Sequence, residues 1–275
     1  MNSSHPVPAI LLFAALFFFA IALSIYARVA SHIRRAGGKV RAEIFTISEL
    51  LMGIVLGSFF VFMLVDSLRR HAEKGSAIHI ESVLPNALFF ILLTAGVALM
   101  MRYRGVQLSY AFGLDRLPPL KTLGWAAGLL LAAFPLTAAA SALALLALKN
   151  QFAPQPLVQL FSEVARQGNA RDIAKIFGVG VFIQPACEEF LFRGFFYGVG
   201  KRYFGALPSG IVCSVFFAMF HADLSALAGL LTLAVCLNLA YERTGSLLVP
   251  VGMHALFNAS TLVVLFVQAQ HRLVA

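Results

Sequence analysis

The sequence carries little charge. Charged residues make up 12% of its 275 positions, whereas hydrophobic residues make up 60%. Soluble domains carry about 25% charged and about 45–50% apolar residues. This deficit excludes an ordinary soluble domain and indicates a polytopic membrane protein, in which membrane spans rather than domain lengths are the units to count.

Acidic residues are scarce as well. The 21 Lys and Arg residues exceed the 12 Asp and Glu residues, which gives a formal net charge of +9. The basic residues are scattered over the segments between apolar runs, a pattern typical of anchors that face lipid headgroups. No basic stripe with interleaved aromatic residues is present, so we expect membrane lipid and no nucleic acid as a partner.

Cysteine is limited to Cys187, Cys213 and Cys236, with no CxxC spacing among them. All three lie in or beside apolar runs, where thiols act as small core hydrophobes. Cys187 precedes Glu188, which leaves a catalytic thiol as an alternative. A thiol in apolar surroundings is a poor nucleophile, so this alternative is the weaker one.

Hydrophobic periodicity predicts eight apolar runs. Several approach the roughly 20 residues that a helix needs to cross a bilayer, and a spanning segment must satisfy its own backbone polar groups. We therefore predict an all-α membrane protein with about eight transmembrane helices. The runs are Val7–Ala27, Ile44–Leu68, Val83–Met101, Leu123–Leu148, Ile176–Val199, Leu207–His221, Leu224–Ala240 and Leu247–Val267.

The charges around the first run predict how the chain is oriented. The run has no basic segment before it and no small-residue cleavage site, so it is typical of a retained anchor. Basic residues between Arg28 and Arg41 favour a cytoplasmic location for the loop that follows the first run. Counted over all loops, the excess of basic residues on the cytoplasmic side is modest. We expect a multi-pass integral membrane protein, in the plasma membrane if the source is prokaryotic.

A longer polar segment separates the fourth and fifth runs. Its Leu157, Leu160, Phe161 and Val164 recur at helical spacing and are followed by Gly168. This spacing predicts an amphipathic helix at the membrane interface, and a plain surface linker is the alternative.

Ionisable residues inside the apolar runs are the main functional signal. Most charges, such as Glu49, Asp66 and Asp115, lie near run ends, where they can reach water or headgroups. The stretch "QPACEEFLFRGFF" instead places Glu188, Glu189 and Arg193 inside the fifth run, where each charge costs about 2.5–3.5 kcal/mol. Glu189 and Arg193 are four residues apart with the acid first, the favourable order for a helical ion pair. Glu188 is rotated by about 100° from Glu189. Arg193 can therefore neutralise Glu189 and leave Glu188 free.

Two further polar groups lie in the last third of the chain. His254 and Asn258 share one face of the last run, and His221 ends the sixth run one turn after Phe217, with Asp223 close behind. A free carboxylate, two imidazoles and an amide suit general-base activation of water with donors for an oxyanion. Glu188, His221 and His254 equally suit a zinc site. A third interpretation is a set of interhelical hydrogen bonds that only holds the bundle together, which does not readily explain so many costly residues in one third of the chain.

The three motifs "EEFLFR", "FAMFH" and "HALFN", in this order on separate apolar runs, resemble those of the CAAX prenyl-protease and bacteriocin-processing family. The segment "TGSLLVPVGMH" resembles the family's approach to its third motif. The resemblance covers about residues 176–262, and no motif position departs from the pattern. It implies an intramembrane endopeptidase with eight helices around a buried active-site cavity, acting on a peptide or protein substrate at the membrane surface.

The resemblance also implies roles for the motif residues. Glu188 would activate water with support from Glu189 and Arg193, and His221 would assist water or oxyanion. His254 and Asn258 would complete the oxyanion site. We expect no obligatory metal, because the candidate ligands are those needed for acid–base work, and zinc is the alternative.

This interpretation divides the chain into three parts. Residues 1–150 would form four accessory membrane helices, 151–175 a polar interfacial linker, and 176–275 a four-helix catalytic core. A non-proteolytic scaffold or immunity protein of the same family is the second hypothesis. A proton-coupled transporter is the third, although the two halves of the chain are not alike as inverted repeats require.

Overall fold

The computed structural model describes residues 9–74, 79–147, 156–221 and 223–274. These residues are almost entirely helical and contain no β-strand, as predicted. The helices are α1 Ala9–Ala36, α2 Ile47–Lys74, α3 Val83–Tyr103, α4 Leu108–Phe112, α5 Pro119–Ala147, α6 Pro156–Gln167, α7 Ala170–Gly178, α8 Gln184–Glu189, α9 Tyr197–Phe204, α10 Ala206–Phe220, α11 Leu227–Thr244 and α12 Leu248–Val274. A 3₁₀ turn, Ile80–Ser82, precedes α3, and π-helical segments Val179–Ile183 and Phe190–Phe196 flank α8.

Five helices of the described part are long and apolar enough to cross a membrane, so the predicted number of eight is not confirmed. The remaining three predicted runs are helical but differ from regular spans. Helix α10 has only 15 residues, α11 ends in the polar Glu242–Thr244, and the run around Glu188 is interrupted by the two π-helical segments. The five candidate spans are Ile10–Ala36, Ile47–Arg69, Ile80–Tyr103, Pro119–Ala147 and Leu248–His271.

The fifth run lies at the centre of the bundle. Leu191, Phe192 and Phe195 are fully buried, and Phe192 packs edge-on against Phe217 of α10 with ring centroids 5.2 Å apart. On the other side, Phe60 of α2 contacts Phe192 at 6.1 Å. In contrast, α1 and α2 expose many large apolar side chains, as lipid-facing helices do.

The amphipathic helix expected in the polar segment is present as α6. Phe161 and Val164 are buried in one cluster with Ile176 of α7 and Leu262 of α12. Gln270 donates its side-chain amide to the carbonyl of Ala165 at 3.1 Å. The apolar face of α6 therefore packs against α7 and α12. The side chain of Leu157, which was predicted to lie on this face, is outside the described part of the structure.

One buried carboxylate ties the α1–α2 loop to two other helices. Glu242 of α11 accepts from the Lys201 ammonium at 2.6 Å, from the Tyr197 hydroxyl and from the Val40 amide at 3.4 Å. Phe45 of the same loop lies so close to Gly198 that any side chain there would overlap its ring. The α1–α2 loop, α9 and the last turns of α11 thus meet at one end of the bundle.

Glu49 was predicted to reach water or headgroups near the end of a run, and this prediction is wrong. It is fully buried, accepts from the Thr46 amide at 2.8 Å and pairs with Arg104. The partner lies 55 residues away, so the run alone does not predict the pair.

The two ends of the bundle can be told apart by labelling of single cysteines. Arg34 and Arg116 lie at the end of the bundle where α12 begins and the Leu247 amide donates to the Phe112 carbonyl. Arg166 lies at the opposite end, near Gln270, which is about 33 Å from the start of α12 along the helix axis. If the basic loops face the cytoplasm, we expect an impermeant thiol reagent to label Arg166→Cys in intact cells and to spare Arg34→Cys and Arg116→Cys. The native cysteines are buried, so their background labelling should be low.

Candidate active site

Two stretches of π-helix shape the site. Val179–Ile183 and Phe190–Phe196 flank the short helix α8, which carries Glu188 and Glu189. A π-helical turn adds a residue to the regular helical repeat, and such turns occur frequently at functional sites. Asn258 of α12 donates its amide to the carbonyl of Gly180 at 2.8 Å, which ties the first π-helical segment to the last helix.

Glu189 is fully buried and has two charged or polar partners. The Arg193 guanidinium donates to Glu189 Oε1 at 2.9 Å, and His254 Nδ1 lies 2.9 Å from the same oxygen. The predicted ion pair between positions four residues apart is therefore present, with both side chains excluded from solvent. Because an ionised carboxylate only accepts, the proton of neutral His254 belongs on Nδ1.

Arg193 is held on three sides. Besides Glu189, its second terminal nitrogen donates to the carbonyl of Ala234 on α11 at 3.3 Å. Its guanidinium carbon lies 4.2 Å from the centroid of the Phe217 ring. A cation over an aromatic ring is attracted by the ring's quadrupole, more strongly when water is absent. The Phe217 ring thus packs against the guanidinium.

Glu188 has a different environment. Its Oε1 accepts from the Gln184 amide at 2.6 Å, and its Oε2 lies 3.8 Å from His254 Nε2. No described residue donates a hydrogen bond to Oε2, and the residue keeps 5% of its surface exposed while Glu189 has none. Among the described residues, Gln184 is the only hydrogen-bond donor to Glu188 and it is neutral, so no cation pairs with Glu188 as Arg193 pairs with Glu189.

His254 lies between the two carboxylates. In its neutral form, with the proton on Nδ1 and directed to Glu189, His254 presents Nε2 as an acceptor to Glu188 Oε2. Two acceptors 3.8 Å apart repel each other unless a donor lies between them. A water molecule to one side of the pair could donate one proton to each acceptor.

His221 contacts the site through Phe217. Its ring lies 4.7 Å from the Phe217 ring, and its Nδ1 is 2.8 Å from the Phe217 carbonyl oxygen. The carbonyl accepts, so Nδ1 donates and Nε2 remains for other partners. Asp223, which the sequence places beside His221, instead accepts from the amides of Ser225 and Ala226 and so holds the turn before α11.

The side chains do not form a metal site in the described part of the chain. No group of three or more His, Cys, Asp or Glu side chains comes together there with the spacing that a metal ion needs. Glu188 and His254 approach each other, and His221 keeps Nε2 free, but the three side chains are not gathered around one point in the described residues. The set of Glu188, His221 and His254 therefore does not fit tetrahedral zinc.

Two contacts of the site were not predicted from the sequence. Gln184 bonds Glu188 from one helical turn earlier, and this spacing was a signal that could have found it. The contact of His254 with Glu189 joins positions 65 residues apart, for which the chain offers no local signal. Cys187, the alternative nucleophile, is buried in the aromatic core cluster.

The comparison with known families supports the motif resemblance. Residues 171–260, about a third of the chain, match the Rce1-like family, described as type II CAAX prenyl endopeptidase Rce1-like. The predicted resemblance to CAAX proteases is confirmed for this segment, which contains every residue described above in the site. Neither a curated protein nor a solved structure matches the chain.

The different surroundings of the two carboxylates predict different effects on stability. Glu189→Gln leaves Arg193 buried without its counter-charge, which typically costs about 3–5 kcal/mol. Glu188→Gln keeps an acceptor for Gln184 and should change the free energy of unfolding by about 1 kcal/mol or less. Thermal and denaturant unfolding in detergent measure both.

A double variant provides the control for this stability prediction. Glu189→Gln with Arg193→Gln removes both charges, so it should regain part of the stability lost in Glu189→Gln alone. If Glu188→Gln is the unstable single variant and Glu189→Gln the stable one, the assignment of the neutralised carboxylate is reversed.

Proposed function

We propose that this protein is an intramembrane endopeptidase that hydrolyses peptide bonds with a water activated by Glu188. The observation that carries the proposal is the 3.8 Å gap between Glu188 Oε2 and His254 Nε2, beside a second carboxylate that is already neutralised. The family match of residues 171–260 supports proteolysis as the reaction class. The glutamate mechanism rests on the geometry.

The position of the water follows from the two acceptors. A water that donates to Glu188 and to His254 directs its oxygen lone pairs away from both. A peptide carbonyl carbon on that side meets a nucleophile whose proton can pass to Glu188. General-base catalysis of this kind contributes about 10²–10⁴-fold.

The later steps need donors for the oxyanion and for the leaving amine. Glu188, once protonated, can return its proton to the amine nitrogen when the carbon–nitrogen bond breaks. His221 has Nε2 left for the substrate, and in its imidazolium form it can donate to the oxyanion. Asn258 commits one N–H to Gly180, which positions the first π-helical segment, and we propose that its second N–H completes the oxyanion site.

We propose substrates that reach the site from the membrane surface, either prenylated proteins or lipid-anchored and secreted precursors. The helices around the site are apolar and the site itself is nearly closed to water, which favours a membrane-associated peptide over a soluble one. We assign the protein to the plasma membrane if the source is prokaryotic.

Substitution of Glu188 tests the proposal directly. Glu188→Gln keeps the shape and the acceptor for Gln184 but removes the base, so cleavage of a prenylated peptide library should fall by about 10²–10⁴-fold. Cleavage is measured by mass spectrometry on purified protein in lipid. Glu43→Gln, at an exposed loop position, is the matched control and should keep wild-type activity.

Two results would contradict this prediction. Cleavage that persists in Glu188→Gln would exclude Glu188 as the base. A wild-type protein that cleaves no peptide, prenylated or not, would favour the non-proteolytic scaffold.

Removal of metal separates the glutamate mechanism from a zinc mechanism. Because the candidate ligands do not come together in a zinc geometry, activity should survive extensive dialysis against a strong chelator. Cleavage is compared before dialysis, after dialysis and after addition of zinc. A loss that stoichiometric zinc restores would show that Glu188, His221 and His254 gather around a metal during the reaction.

A further inference from the structure

Three basic residues meet at the bundle end formed by the α1–α2 loop, the segment after α4 and the α11–α12 turn. The backbone holds these elements together, since the Lys39 amide donates to the carbonyl of Glu242 at 2.9 Å. The Arg116 guanidinium donates to the Lys39 carbonyl at 3.2 Å and lies so close to Gly245 that a side chain there would overlap it. Arg243 precedes this turn. We call Lys39, Arg116 and Arg243 the basic patch.

The basic patch is not neutralised by its neighbours. Within the described residues, none of the three side chains has a carboxylate within ion-pair distance. Burial lowers the pKa of Lys39, and the charges of Arg243 and Arg116 lower it further. Like charges held together in this way favour an anion among them.

The carboxylates near the basic patch do not neutralise its positive charge. Glu242 is committed to Lys201, Tyr197 and the Val40 amide on the inner side of the loop. Asp115 precedes Arg116 and is exposed. Even if Asp115 is counted, three cations face one free carboxylate.

An apolar groove lies beside the basic patch. Its volume is about 490 Å³, and it runs between the first turns of α5 and α12. Leu117, Leu123 and Leu248 line it, and Asp115 lies at its edge. The Trp125 ring of α5 lies under the Arg243 guanidinium, with the guanidinium carbon 5.4 Å from the ring centroid. Tryptophan is enriched at the level of lipid headgroups, which puts this end of the bundle at the membrane surface.

We propose that the basic patch and the groove together bind one anionic phospholipid. The phosphate lies among Lys39, Arg116 and Arg243, and one acyl chain lies along the leucines of the groove. Charge selects the headgroup, because arginine donates to phosphate in a fixed planar fork. The apolar lining distinguishes a lipid from a free phosphate ion. This inference is independent of the protease reaction.

Thermal unfolding of the delipidated protein in detergent tests the proposal. Dioctanoyl phosphatidylglycerol should raise the midpoint temperature in a saturable way. Dioctanoyl phosphatidylcholine and glycerol 3-phosphate at equal concentration should raise it little, since the first lacks net charge and the second lacks chains. Arg116→Gln and Arg243→Gln should each weaken the phosphatidylglycerol affinity by about fivefold, the contribution of one basic residue near a membrane surface.

Arg202→Gln is the matched control, because Arg202 is exposed at the same end of the bundle but lies outside the basic patch. Its affinity for phosphatidylglycerol should equal that of the wild type. An equal loss in Arg202→Gln would overturn the proposal in favour of diffuse attraction. Equal shifts with phosphatidylcholine would overturn the charge selection, and equal shifts with glycerol 3-phosphate would indicate a site for free anions. If Arg116→Gln does not fold, Lys39→Gln and Arg243→Gln give the same test.

Discussion

The neutralisation of Glu189 is the constraint on which the rest of the site depends. This fully buried carboxylate accepts from Arg193 one turn later and from His254 on another helix. A buried charge without a partner is expensive, so α8 and α12 must keep their relative positions. The same contact fixes the His254 proton on Nδ1 and so leaves Nε2 as an acceptor beside Glu188. One ion pair thus contributes to stability and orients the His254 ring beside Glu188.

Two carboxylates of the C-terminal third differ in their surroundings, and this difference is why we propose a reactive role for one of them. Glu242 accepts from an ammonium, a hydroxyl and a backbone amide, and it holds a loop against two helices. Glu188 accepts only from the neutral amide of Gln184, and its second oxygen has no donor within the described structure. Both residues are glutamates, so residue type alone does not separate them. The number and charge of their hydrogen-bond donors do.

Local patterns predicted the helices, the amphipathic α6 and the Glu189–Arg193 pair, because each depends on residues within a few turns of one another. Contacts between distant segments were not predictable in this way. Arg104, the partner of Glu49, follows α3, and His254, the second partner of Glu189, lies on α12. Asn258 bonds a carbonyl of the first π-helical segment, 78 residues earlier. The predicted number of about eight spans is not confirmed: five described helices are long and apolar enough to cross a membrane, and hydropathy alone does not register the short α10 or the polar end of α11.

A structure of the protein with ordered water visible in the site tests the central claim most directly. We expect one water within hydrogen-bond distance of both Glu188 Oε2 and His254 Nε2, with Glu189 still bonded to Arg193 and inaccessible to solvent. A water or metal ion bound to Glu189, with Arg193 turned toward Glu188, would contradict the account.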